Sequence, residues 1–262
     1  MQRKAWAKAQ ESWSGSHVDP SSVIAIVDDH RIVSAAITQL LESAGYRVVD
    51  AYRETPDAIV ATLAEHRPFL VFLDHDLGPA GIGLALVEAA ARHGVVVALT
   101  AAEDRLLHAQ YLAAGADGVL CKTNGPGEVL AIVELALASE PVTTAPVRDQ
   151  LMTDLRMARA AEARRLRPFE QLTRREAETL QRLCEGGVAS AIADEWVVSL
   201  ATVRSHIRSV LVKLGVSSQL EAVALAHQSG WLGAVRGDSS IVMMTATGDV
   251  PTMDSMKRKS AG

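Results

Sequence analysis

The run FLVFLDHDLG, Phe69 to Gly78, constrains this chain more than any other stretch. Five apolar residues, Phe69 to Leu73, lead directly into Asp74, and a second acid, Asp76, follows in the loop. An uninterrupted apolar run of that length suits a central strand of a parallel sheet, covered on both faces. A carboxylate at its C-terminal end stands where open α/β sheets bind ligands. An acid that merely ends a strand and caps the next element fits the same local pattern. Asp74 must therefore be weighed by its company.

That company is regular. VIAIV (23–27), YRVVDAY (46–52), the run at 69–73, VVVAL (95–99) and GVLC (118–121) predict five strands. Helices are predicted between and after them, at 31–44, 55–66, 82–93, 103–114 and 126–138. Gly45, Gly94 and Gly115 stop three of these, glycine being the residue that ends helices in the left-handed conformation without strain. Strands alternating with helices imply right-handed crossovers and helices on both sheet faces. The expected fold class is α/β, a doubly wound five-stranded parallel sheet, followed by a small all-α domain.

Pro141 to Pro146 breaks the alternation. Residues 148–166 suit an arginine-rich linker helix with a stripe of Leu151, Leu155 and Leu166. The all-helical part opens at Leu172. Thr173 and Glu176 have the spacing of a capping box, and Ala177, Leu180 and Leu183 make the apolar face behind it. Gly186–Gly187 ends that helix, and a short one follows with Ile192, Ala193 and Trp196 inward. Ser199 caps a longer helix with Val203, Ile207, Val210 and Leu214 on its core face, ended by Gly215. Ser218 and Glu221 repeat the capping spacing and open a helix to Gly230. The expected domains are a tail at 1–22, an α/β domain at 23–139, a linker at 140–170, a helical domain at 171–232 and a disordered tail at 233–262.

Composition narrows the class. Cys121 and Cys184 are the only cysteines, too few for a disulfide framework or a zinc site. No apolar run reaches membrane-spanning length, and residues 1–22 lack a signal-peptide core, so a cytoplasmic protein is expected with no membrane partner. Residues 1–140 carry ten basic and eighteen acidic side chains, a net −8, whereas residues 141–262 carry sixteen and thirteen, a net +3. An acidic half joined to a basic half suggests two domains with different partners.

Polar residues close four of the strands: Asp28–Asp29, Asp74, Thr100 and Lys122. Parallel strands bring these ends to one edge. Carboxylates gathered there repel one another unless a cation sits among them, and hard oxygen ligands suit Mg²⁺. An ionised carboxylate beside a metal can attack a phosphoryl group, with Thr100 donating to that group and Lys122 pairing with it.

VDDH at 27–30, FLDHDLG at 72–78, ALTA at 98–101 and GADGVLCK at 115–122 resemble the receiver domain of bacterial response regulators, over roughly 23–139. The resemblance implies that Asp74 is the phosphoacceptor and that a sensor histidine kinase is the phosphodonor. It implies that Asp29, Asp74 and the backbone carbonyl of Asp76 hold Mg²⁺, with Asp28 assisting through water. Thr100 and Lys122 would contact the phosphoryl group. Three departures from the pattern stand out. Gly78 stands where receivers usually have Pro, and His75 and Asp76 make the loop unusually polar, His75 reading as an exposed side chain. Val119 stands where many receivers carry a Tyr or Phe that swings inward on phosphorylation.

LTRREAETLQRLCEGG, IADEWVVSLATVRSHIRSVLVKLGV and LEAVALA resemble the LuxR-type helix-turn-helix, over about 171–231. Ala191 and Gly187–Val188 are atypical there. The resemblance implies that Ser199 caps the recognition helix, with Thr202, His206 and Lys213 on DNA phosphates and Arg204, Ser205 and Arg208 reaching base edges. It places a homodimer surface around Leu220, Val223 and Ala226. Together the two halves imply a DNA-binding transcriptional regulator, not an enzyme, that takes inverted-repeat double-stranded DNA as a dimer. Two alternatives stand beside it. One is a regulator with a phosphorylation-independent first domain. The other is an aspartate-nucleophile phosphatase, whose D-x-D motif Asp74–His75–Asp76 satisfies; against it, Asp28–Asp29 lie upstream of Asp74.

Overall fold

The computed structural model of the chain describes residues 22–236 and divides into two compact units after Arg156. The tails expected at 1–22 and 233–262 fall outside the described residues, except for Ser22 and the segment up to Arg236.

The first unit is built on strands β1 (Val23–Val27), β2 (Arg47–Asp50), β3 (Leu70–Asp74), β4 (Val95–Thr100) and β5 (Gly118–Cys121). They form one parallel sheet in the order β2-β1-β3-β4-β5. β3 is the central strand, and every residue in it is buried. This is what an unbroken apolar run requires, because no position on it can face water cheaply. Helices α1 (Arg31–Ser43), α2 (Pro56–His66), α3 (Val87–Ala90), α4 (Arg105–Ala113) and α5 (Pro126–Leu137) alternate with the strands. α2, α3 and α4 cover one sheet face through Ile59, Leu63, Val87, Ala90 and Tyr111. α1 and α5 cover the other through Leu41, Val129, Ile132 and Val133. The strand ends therefore stay open at the C-terminal edge.

The pattern at 82–93 predicts a helix of three turns, but only Val87–Ala90 is α-helical, behind two 3-10 turns at Gly78–Ala80 and Gly83–Leu86. The cause is the packing of the loop against the end of β3. Gly83 N–H donates to His75 O at 2.8 Å, and Asp76 pairs with Ile82 in a short antiparallel bridge. A Cβ on Gly83 would stand 1.9 Å from Asp74 O, so the backbone approach requires glycine. The chain enters the helix late because it is held to the strand first.

Helix α6 (Ala145–Leu166) starts three residues before the expected linker helix. In its first half Leu151 and Leu155 pack on Ala109 and Leu112 of α4.

The second unit contains α7 (Arg174–Cys184), α8 (Ala189–Trp196), α9 (Leu200–Leu214), α10 (Gln219–Ser229) and α11 (Trp231–Arg236). Thr173 and Glu176 form the expected reciprocal capping box. Ser199 accepts Thr202 N–H at the start of α9, and Gly215 ends it at φ +69°. The expected core faces are buried: Leu180, Val210 and Leu214 in one cluster, Ile192, Ala193, Val203 and Ile207 in the next. Trp196 is half-buried against that second cluster, with the Arg175 guanidinium 5.0 Å above its ring.

Two expectations need correction. Ser218 accepts Glu221 N–H, but the Glu221 carboxylate turns to Ser217 N and Oγ instead of Ser218 N, so the second capping box is only half made. Ser217 meets the carboxylate with both its N–H and its hydroxyl, at 2.7 and 2.8 Å. The helical unit also continues past residue 232, because α11 runs from Trp231 to Arg236, and Trp231 stacks on Phe169 with ring centroids 5.2 Å apart. Burial of that indole anchors a segment whose polar composition beyond it had suggested a tail.

Candidate functional site

The C-terminal edge of the sheet gathers the polar strand ends. Asp28 follows β1, Asp74 closes β3, Thr100 closes β4, and Lys122 follows β5. Asp28 and Asp74 are each 3% exposed and Thr100 is 1% exposed. Lys122 Nζ lies 2.7 Å from Asp74 Oδ2 and 2.9 Å from Asp28 Oδ2. Burial pushes the Asp74 carboxyl above the usual range, Lys122 pulls it down, and the like charge of Asp28 pushes it up again. Burial lowers the Lys122 ammonium, but the two carboxylates outweigh it and leave it raised. The single ammonium thus shares two acids.

Asp28, Asp29, His30 and Asp74 offer ligand atoms within 4.8 Å of one another, a group able to hold a metal ion. Asp28 Oδ2 and Asp29 Oδ1 are buried atoms that face Lys122 Nζ at 2.9 Å and His30 Nδ1 at 2.7 Å, and three carboxylates around one ammonium fit a cation-binding role. His30 enters the cluster unforeseen. Its Nδ1 lies 2.7 Å from Asp29 Oδ1 and 3.4 Å from Asp74 Oδ2, and Asp29 foremost raises its pKa. Its place directly after Asp28–Asp29 was the available signal. The Asp76 carboxylate, by contrast, is exposed and accepts Gly78 N–H at 3.0 Å, away from the cluster. The Thr100 hydroxyl is engaged with the main chain of Ala102.

Gly78 takes φ +54°, which proline cannot adopt, so its departure from the receiver pattern is a real change of loop conformation. His75, expected exposed, is half-buried, and its Nδ1 shares a 2.9 Å hydrogen bond with the hydroxyl of Tyr111, 36 residues away. Sequence reasoning had no means of pairing them.

In the second unit, Thr202, Arg204, Ser205 and Arg208 lie exposed on one side of α9, opposite the buried Val203, Ile207 and Val210. His206 is half-buried. The Thr202 and Ser199 hydroxyls bond each other at 2.8 Å.

Two family models match the chain. One is the response regulator receiver domain, over residues 24–134, and the other is the luxR family of bacterial regulatory proteins, over 170–226. The nitrate/nitrite response regulator protein NarP of Escherichia coli K12 is 32% identical over 210 residues, covering 78% of this chain and 94% of NarP. The chain belongs to the LuxR-family response regulators. It is a DNA-binding two-component regulator and not an enzyme. The transcriptional regulatory protein UhpA of Salmonella typhimurium LT2 is 30% identical over 211 residues, with 79% of this regulator and 98% of UhpA covered. A solved structure of the RcsB response regulator of Salmonella typhimurium aligns at 21% identity and a TM-score of 0.44, over 79% of this regulator and 98% of that chain.

Three residues of the regulator's helical unit sit differently from expectation. Lys213, expected on DNA phosphates, bonds Glu176 at 2.6 Å and is only half-exposed, so its charge is met inside the unit. Ala226, expected on a dimer surface, is fully buried in the unit's own core, and Val223 is half-buried against the α8–α9 cluster. Leu220 is 78% exposed. Among the described residues, no single helix is long and apolar enough to cross a membrane.

Proposed function

We propose that this regulator is switched by phosphorylation of Asp74 and binds DNA through α9. The observation that carries the first half is the Asp74 carboxylate itself, buried at the end of the central strand beside Lys122 and the carboxylates of Asp28 and Asp29. Asp28, Asp29 and Asp74, with the backbone carbonyl of Asp76, would hold Mg²⁺, which supplies neutralisation of charge developing on the transferred group. An Asp74 oxygen attacks the phosphorus of a phosphohistidine on a sensor kinase, forming the acyl phosphate as the P–N bond breaks. Lys122 remains to pair with the added charge, and Thr100 rotates from Ala102 to donate to a phosphoryl oxygen.

The second half rests on the exposed row Thr202, Arg204, Ser205 and Arg208 on a helix whose opposite face is core. Arg204, Ser205 and Arg208 read base edges in the major groove, and Thr202 and His206 sit on phosphates. Two copies meet through α10 around Leu220 on an inverted repeat, in the cytoplasm.

Incubation with a small phosphodonor and Mg²⁺ tests the reading. One acyl phosphate should form per chain and disappear in Asp74→Asn, which keeps the shape and removes the nucleophile. Labelling that survives this substitution, or that is absent from the wild-type chain, overturns it.

A further inference from the structure

Val119 supplies no ring behind the phosphorylation site, yet a buried aromatic hydroxyl reaches that site from another element. Tyr111, on α4, is completely buried in the core cluster beneath the sheet. Its hydroxyl shares the 2.9 Å hydrogen bond with His75 Nδ1, and the two rings meet edge to face at 5.9 Å. His75 is the residue next to Asp74, and its backbone is held on three sides. Its N–H is shared between Asp74 Oδ1 at 2.7 Å and Leu99 O at 2.9 Å, while its carbonyl accepts Gly83 N–H at 2.8 Å. Its position therefore follows the Asp74 carboxylate.

The other side of α4 carries the first half of α6. Leu151 and Leu155 are buried on Ala109 and Leu112, which lie two residues before and one residue after Tyr111. Arg105 at the start of α4 pairs with Asp154 at 2.7 Å. Arg148 donates to the carbonyls of Ala116 and Asp117 in the loop that follows α4. Four residues of α6 thus hold to α4 and its C-terminal loop, and α4 is pinned to the phosphoacceptor loop by one buried hydroxyl.

We propose that His75 and Tyr111 couple the state of Asp74 to the docking of residues 145–156 on α4, in the role left open by Val119. This rests on the reading of Asp74 as the phosphoacceptor. Phosphorylation of Asp74 at Oδ1, with Oδ2 left to Lys122, turns the carboxylate acceptor of His75 N–H into the bridging oxygen of an acyl phosphate and draws that N–H toward a phosphoryl oxygen. The His75 ring then moves relative to Tyr111. Burial, and after it the charge of Asp74, holds the Tyr111 phenol well above its usual range, so it keeps its proton and its need for a partner. A backbone hydrogen bond from Leu84 still reaches the Tyr111 oxygen, so it is the hydroxyl proton that loses its acceptor; a buried donor left unmade is costly, so α4 shifts with the ring. The apolar seat of Leu151 and Leu155, built on the same helix, loosens.

The test is amide hydrogen exchange of the full-length chain, with and without a small phosphodonor and Mg²⁺, with labelling at Asp74 measured on the same samples. In the wild type, phosphorylation should speed exchange across residues 145–156 by roughly fivefold or more, the low end of allosteric couplings. Tyr111→Phe keeps the ring in the core and removes only the hydroxyl. It should be labelled at Asp74 like the wild type, yet lose the change at 145–156. His75→Leu, which fills the same space without a hydrogen bond, should behave alike, whereas His75→Gln, which can still bond the hydroxyl, should restore part of the change. Unchanged or slower exchange in the labelled wild type overturns the coupling, as does a wild-type response in both Tyr111→Phe and His75→Leu. A wild-type chain that takes no label overturns the phosphoacceptor reading and this inference together. Those results are distinct, because the first two leave labelling intact.

Discussion

Lys122 Nζ stands 2.7 Å from Asp74 Oδ2 and also faces Asp28 Oδ2 at 2.9 Å, so one buried ammonium balances two buried acids. Removing it leaves both carboxylates without their cation. Lys122→Ala should lower the stability of the first unit by about 3 kcal/mol, the size expected when one partner of a buried pair is deleted. Mg²⁺ should recover more of that loss in the variant than it adds to the wild type. Thermal unfolding followed across a Mg²⁺ titration reads both effects. Equal Mg²⁺ responses in the two proteins would contradict the assignment of Asp28 and Asp74 to a cation site.

Gly78 gives a second handle on the same site. At φ +54° it lies outside the range of proline, its N–H donates to Asp76 Oδ1, and a Cβ there would stand 2.8 Å from Asp29 Oδ2. Gly78→Pro restores the residue usual in receivers but should destabilise this one by more than about 1 kcal/mol, since the backbone must flip and a hydrogen bond is lost. Gly78→Ala should weaken Mg²⁺ binding several-fold by displacing the Asp29 carboxylate. Equilibrium denaturation and Mg²⁺ titration check the two outcomes separately.

These sites show how far the sequence could be read. The strands β1, β3 and β4 were legible because each is covered on both faces and so is continuously apolar, whereas the edge strand β2 leaves Arg47 and Asp50 exposed and carries a weaker signal. The acidic strand ends were legible because parallel strands must bring them to one edge. The helix expected at 82–93 was not, since Gly83 is held to the end of β3 by contacts that no periodicity encodes. His75–Tyr111 and Glu176–Lys213 join residues 36 and 37 positions apart, and each partner alone has an ordinary local explanation. His30, beside the acids it joins, shows that even an adjacent member of the cluster can be missed when its helix-starting position offers a simpler role.

The Glu176–Lys213 pair makes the second unit acid-sensitive. Burial alone would raise the Glu176 carboxyl, but the hydrogen bonds from Lys213 and Thr173 outweigh it and hold it below its usual value of 4.5. An acid whose folded value is depressed stabilises the fold above its unfolded value, and that stabilisation fades as pH falls through the folded one. The second unit should therefore lose stability as pH drops below about 4.5. Glu176→Gln should flatten that dependence, at a cost at neutral pH of roughly 1–2 kcal/mol. Denaturant melts of the two proteins from neutral to acid pH measure it. Parallel curves for wild type and variant would place the acid sensitivity elsewhere.

The same pair divides the basic residues of α9 into two roles. Arg204 and Arg208 are exposed one helical turn apart, opposite a face filled by Val203, Ile207 and Val210. A guanidinium offers two parallel donors that match the two acceptors of guanine, so base preference is expected to rest on these residues. Arg208→Ala should cost about 1–3 kcal/mol at the base pair it contacts and relax preference there, leaving affinity for unrelated sequence largely unchanged. Lys213 is committed to Glu176, so Lys213→Met should reduce stability while leaving the salt dependence of DNA binding almost intact. Were Lys213 a phosphate contact, its removal would lower the salt slope by about one. Binding to matched and scrambled duplexes over a range of salt, with unfolding measured in parallel, separates the two. A slope reduced by about one in Lys213→Met would show that DNA draws this lysine from Glu176.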